Sequence, residues 1–173
     1  TLLENHAADS GAARTAHAAP TDSAELESNR VRGSVGVGPA VYYASTIPSS
    51  ADYSVEAVVY CASNTGGVFF TGRFDPATGH HYLMGFFNGF GWGIGKDVGS
   101  GISFLGALAG PTSLTAGSSY TARLDMIGDH LLGFVDGSLL LDRTDSAISS
   151  AGRVGVRLDA RSPNTGYQID TLD

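Results

Sequence analysis

His80 and His81 open the stretch HHYLMGFFNGFGWGIGKD, residues 80–97, which also holds three of the eight phenylalanines, the single tryptophan and the single lysine. Neighbouring imidazoles raise the question of a metal site. In an extended strand, however, consecutive side chains point to opposite faces, so these two cannot chelate one ion. The chain has neither an HExxH nor a paired Cys-x-x-Cys motif, and Cys61 is its one cysteine, expected as a small buried hydrophobe. The aromatic residues of the same stretch carry a different chemistry. Asn88-Gly89 predicts a two-residue type I′ hairpin turn. In that register Phe87 faces Phe90, Gly85 faces Trp92, Leu83 faces Ile94 and His81 faces Lys96. Phe87, Phe90, Trp92, Leu83 and Ile94 suit a core. Tyr82, Met84 and Phe86 then lie against Gly91, Gly93 and Gly95, a shallow trough floored by backbone. Rings such as Tyr82 and Phe86 stack on the apolar faces of sugars, and Arg73, Asp75 and Asn88 would orient hydroxyls. The competing reading is that the glycines only admit close cover by a loop or by the N-terminal arm.

Other chemistries find less support. Glycoside hydrolysis uses two carboxylates roughly 5 to 9.5 Å apart. The glutamates are Glu4, Glu25, Glu27 and Glu56, and no second acid is placed to partner Glu56. Asp125, Asp136, Asp142 and Asp145 belong to a strand meander and its turns, where short acids are common. There is no G-x-S-x-G elbow and no P-loop. The sequence therefore does not argue for an enzyme.

The elements that must position these residues read as strands. YSVEAVVYCAS alternates apolar and polar positions. YTARLDMI, HLLGFV and SLLLDRTD are joined by the two-residue turns Gly128-Asp129 and Asp136-Gly137. GGVFFTGRF, GRVGVRLD and GYQIDTLD supply further strands, and no segment carries a helical period. The 173 residues, 42% hydrophobic and 16% charged, suit one folded domain. The 24 glycines fit many tight turns. Residues 1–28 read as an arm or irregular lead-in, and residues 29–173 as the β domain. A formal charge of −7, with nine scattered arginines, opposes nucleic acid and anionic membrane surfaces as partners. No apolar run reaches the roughly 20 residues that cross a bilayer.

YTARLDMIGDHLLGFVDGSLLLDRTDS, SAGRVGVR and YQIDTLD, following one another in that order, resemble the C-terminal half of concanavalin A-like domains of the laminin-G-like jelly-roll type. ADYSVEAVVYCAS, GGVFFTGRF and HHYLMGFF resemble their upstream elements, and the likeness covers about residues 30–173. LLENHAADSGAARTAH is similar to the lead-in of such modules in phage structural and bacterial surface proteins. The resemblance implies an all-β fold, a two-sheet antiparallel jelly-roll sandwich, and a role in binding a glycan or host-surface ligand on a virion surface or outside the cell. A purely structural virion protein, contacting other virion proteins through the N-terminal arm, stays open. So does a glycan hydrolase, although the E-x-D-x-E strand of the glucanase branch is missing. No cofactor is required. Many relatives hold a structural calcium ion, and Asp170 occupies the closing-strand position of such a ligand.

Overall fold

The computed structural model describes residues 4–5, 14–17, 24–27, 30–33, 39–159 and 166–172. These form β1 (Glu4–Asn5), β2 (Arg14–His17), β3 (Ala24–Glu27), β4 (Arg30–Gly33), β5 (Pro39–Ala44), β6 (Tyr53–Cys61), β7 (Gly67–Phe74), β8 (His81–Phe87), β9 (Gly91–Asp97), β10 (Ile102–Phe104), β11 (Ser119–Ile127), β12 (His130–Val135), β13 (Ser138–Thr144), β14 (Arg153–Asp159) and β15 (Tyr167–Leu172). Sheet A runs β13-β12-β11-β6-β15-β4-β3, with β1 also paired to β15, and sheet B runs β10-β9-β8-β7-β14-β5-β2. Every ladder is antiparallel. The chain passes repeatedly between the sheets, as in a jelly-roll sandwich. Strand pairing begins within the expected arm, since β2 joins β5 and β3 joins β4. The remaining residues of 1–28 lie outside the described residues.

Alternation along β6 sends Val55, Ala57, Val59 and Cys61 inward, beside Ala122, Leu124 and Met126 of β11. Sheet B answers with Val68, Phe70, Tyr82, Met84, Phe86, Trp92, Ile94 and Val156. At the centre Phe86 meets Trp92 and Tyr167 edge-on, with centroids 5.3 and 5.1 Å away. The meander β11-β12-β13 has the predicted two-residue turns. Asp136 and Gly137 both take positive φ (48° and 78°), as a type I′ turn demands, and Gly128 does so at 59°.

The β8–β9 hairpin departs from expectation by one residue. Asn88 does not take a positive φ, whereas Gly89 does at 85°, and the Phe90 N–H donates to the Phe87 carbonyl at 3.0 Å. That is type II geometry with glycine at its third position. Phe90 thus joins the loop, and Phe87 pairs with Gly91, Phe86 with Trp92, Met84 with Ile94 and Tyr82 with Lys96. A one-residue slip turns each side chain on one strand to the other face of its partner. Tyr82 and Phe86 accordingly share the core face with Trp92 and Ile94, and both are fully buried. They are not trough walls, and direct stacking on a ligand is closed to them. Phe90, expected in the core, is 61% exposed.

The glycines of β9 face outward instead. A Cβ on Gly93 would lie 2.8 Å from the Phe104 ring and 3.0 Å from Leu108, and one on Gly91 would lie 2.6 Å from the Ala109 carbonyl oxygen. The segment after β9 folds back over this strand, so the glycines there serve close cover by a loop.

Candidate functional site

At the end of the sandwich where β7 turns into β8, three loops enclose a cavity of about 290 Å³. Ile47 comes from the loop before β6, Arg73 and Phe74 from the end of β7, Asp75, Pro76, Thr78 and His80 from the β7–β8 connection, and residues 147–152 from the segment before β14. Two residues expected from sequence, Arg73 and Asp75, meet here.

Arg73 builds the cavity rather than facing it. It is 1% exposed and sits at φ 49°, a left-handed backbone unusual outside glycine. Its Nε donates to the Ala51 carbonyl (2.9 Å), Nη1 to Ile148 O (2.8 Å) and Nη2 to Gly128 O (3.0 Å), with Asp52 Oδ1 at 3.5 Å. One guanidinium therefore pins three loops, leaving little donor capacity for a ligand hydroxyl. The Tyr53 hydroxyl accepts from the Arg73 N–H and donates to Gly152 O at 3.0 Å. Burial pushes the Tyr53 phenol up to about 12, with Arg73 pulling the other way. Gly152 has no room for a side chain, because a Cβ would overlap the Arg73 backbone.

Asp75 shapes the rim. Its Oδ1 accepts from the Ala77 N–H (2.9 Å) and its Oδ2 from the Thr78 hydroxyl (2.8 Å). These two donors hold the carboxyl below its ordinary range, so it stays anionic near neutrality. The half-buried His80 ring and the exposed Ser149 and Ser150 hydroxyls complete the polar rim. Ile47, Phe74, Pro76 and Ile148 supply apolar wall.

Tyr82 acts from behind. Its hydroxyl donates to Asp145 (Oδ1, 2.7 Å) and accepts from the Ile148 N–H at 3.1 Å, fixing the 147–152 wall to sheet B. Lys96 closes the same cluster through Asp145 Oδ2. Burial, reinforced by the Asp145 carboxylate, pushes the Tyr82 phenol up to about 12. For Asp145, burial opposes the charge, but the Lys96 contact and the Ala147 N–H outweigh it and the pKa is lowered.

A second row, invisible in local spacing, supports the β7–β8 connection from outside sheet B. Arg157 of β14 reaches past β7 and β8 to Asp97 at the end of β9, Nη1 to Oδ2 2.6 Å, and its Nη1 also lies 3.3 Å from His81 Nε2. His81 Nδ1 lies 2.8 Å from the Gly79 carbonyl, which can only accept, so Nδ1 carries a proton. Asp97 Oδ1 accepts from the Gly99 and Gly101 N–H groups. Burial works against the Asp97 charge, yet Arg157 and Gly99 keep its pKa lowered. Phe74, a wall of the cavity, packs on His81 (5.5 Å) and Tyr43 (5.0 Å).

Asn88 lies at the opposite end of β8, its amide donating to Asn64 O (3.0 Å) and its Oδ1 accepting from Tyr167 (3.2 Å). Asp170 Oδ2 is 3.4 Å from Arg30 Nε, and the described residues contain no group of three His, Cys, Asp or Glu able to hold a metal.

No family model matches the chain, and no curated protein matches it by sequence. Solved structures do. A carbohydrate-binding module, CBM66 from Bacillus subtilis, superposes with a TM-score of 0.73 at 17% identity, over 93% of this chain and 94% of the module. The fold is a concanavalin A-like jelly roll. The exoplasmic/lumenal domain of VIP36, in a Ca2+/Man-bound form, gives 0.69 at 10% identity over 99% of this chain and 86% of that one. A sialidase gives 0.60 at 14% identity, over 92% of this chain but 16% of the sialidase. No helix among the described residues is long and apolar enough to cross a membrane.

Proposed function

We propose that the chain is a non-catalytic module that binds carbohydrate through the cavity bounded by Ile47, the 73–80 connection and the 147–152 segment. The observation that carries this reading is the make-up of that cavity. Its apolar wall suits the C–H face of a sugar ring, while His80, Ser149, Ser150 and the Asp75 carboxylate suit hydroxyls. About 290 Å³ is at the small end for ligand sites, the scale of a single sugar residue. The likeness to a carbohydrate-binding module and to a domain in a Ca2+/Man-bound form supports the same ligand class. No pair of free carboxylates faces the cavity, since Asp75 is the one acid among its lining residues, which supports binding without hydrolysis. The setting we propose is outside the cell, on a bacterial or virion surface, as the resemblance of the sequence implies.

The test is a glycan array probed with the purified chain, with calcium and with chelator, beside the His80→Ala and Ser149→Ala variants. Binding to a defined glycan that weakens in both variants, unchanged by chelation, is expected. A blank array with folded protein overturns the reading and favours a structural role in an assembly. Release of reducing ends from any polysaccharide would make it a hydrolase instead.

A further inference from the structure

Phe90 is the one aromatic residue among the described residues that stands largely in solvent, 61% exposed. It lies at the tip of the β8–β9 hairpin with its ring parallel to Phe87, centroids 5.0 Å apart and planes 11° apart. Phe87 covers one face of the Phe90 ring. The tip beneath it is strapped down on several sides. Phe90 N–H donates to Phe87 O (3.0 Å), Gly89 N–H to Thr112 O (2.7 Å) and Asn88 N–H to Gly66 O (3.0 Å). The Asn88 side chain adds its bonds to Asn64 and Tyr167. The fourth position of a type II turn accepts almost any residue, so the turn itself does not call for phenylalanine. A large apolar ring held rigid in water, away from the core, is a contact surface whose ordering cost is already met by the fold.

We infer that Phe90, backed by Phe87, is a second carbohydrate contact that stacks on the C–H face of a sugar ring. Polar groups around it suit that partner: the exposed Thr112 side chain and the second N–H of the Asn88 amide. The inference rests on the carbohydrate-binding reading above and extends it. β8 has seven residues, so the tip and the cavity are separated by roughly 20 Å, the length of about four sugar units. The two contacts therefore favour a polymer over a free monosaccharide, by converting the second encounter into an intramolecular one.

Affinity electrophoresis through gels containing xylan, starch, mixed-linkage β-glucan, mannan or soluble chitin tests this with wild type, Phe90→Ala, Phe90→Trp and His80→Ala. Phe90→Ala is expected to keep the wild-type melting temperature and to weaken retention about fivefold on the retaining polymer. Phe90→Trp should keep retention, with its added fluorescence shifting when that polymer is present. Retention unchanged in Phe90→Ala but lost in His80→Ala overturns the second contact and leaves the cavity reading standing. Absence of retention on all five polymers, in wild type as well, overturns the polymer contact, while the cavity reading is decided separately by the glycan array.

Discussion

Tyr82 shows how one hydroxyl ties the core to the site. Its ring fills the centre of the sandwich while its oxygen holds Asp145 and Ile148. Tyr82→Phe keeps the ring and loses both bonds, so it should fold, melt with a loss of about 1–2 kcal/mol and bind glycan more weakly as the 147–152 wall loosens. Thr71 predicts the opposite sign. Its hydroxyl is buried without a hydrogen-bond partner, so Thr71→Val, of matching shape, should leave stability unchanged or raise it by about 1 kcal/mol in chemical denaturation. Asp97 and Asp145 give a pH dependence. Both have folded pKa values below the ordinary carboxylate range, so the unfolded chain takes up protons first as pH falls. Their stabilisation is full above the unfolded value, about 4, and is lost progressively below it. Melting temperatures recorded from pH 6 to pH 2.5 should fall in that window, and Asp97→Asn should flatten part of the fall. Some of this was legible in sequence, notably the burial of Trp92 and Cys61, whereas Arg73, expected to meet a ligand, is a buried strut between loops. The Arg157–Asp97–His81 row was not, because 60 residues separate Asp97 from Arg157 and only the strand order of sheet B joins them.

At the scale of the strand, the meander and the hairpin make an instructive contrast. Gly128-Asp129 and Asp136-Gly137 behave as their dipeptides predict, and the core faces of β11, β12 and β13 follow. Asn88-Gly89 is an equally strong signal, but the straps to Gly66 and Thr112 favour a turn in which Asn88 keeps negative φ. One extra loop residue then decides whether Tyr82 and Phe86 face solvent or core. No local preference reports that, because the competing turn is stabilised by loops far away in sequence. Deleting Phe90 to force a two-residue loop should therefore abolish cooperative unfolding. Gly85 offers a finer probe. A Cβ there would overlap the Val68 carbonyl oxygen, so Gly85→Ala should cost about 3 kcal/mol or more, while Gly89→Ala, with open space around it, should cost about 1 kcal/mol for its positive φ alone.

Across the whole molecule, the sandwich works as a frame that brings loops from distant parts of the chain to its two ends. One end carries the cavity, where a buried arginine and two tyrosine hydroxyls fix three loops before any ligand arrives. The other end carries the Phe90 tip. Strands β1, β2 and β3 pair into both sheets, so removing residues 1–28 should lower the melting temperature rather than simply trim a tail. Amide NMR of the labelled chain, titrated with the glycan selected on the array, decides whether the proposed glycan site lies in the cavity at the β7–β8 end. Shifts are expected to concentrate at Thr78, His80, Ser149 and Ser150 and to saturate together. Shifts concentrated elsewhere on the sandwich, with those four residues unmoved, would contradict that placement.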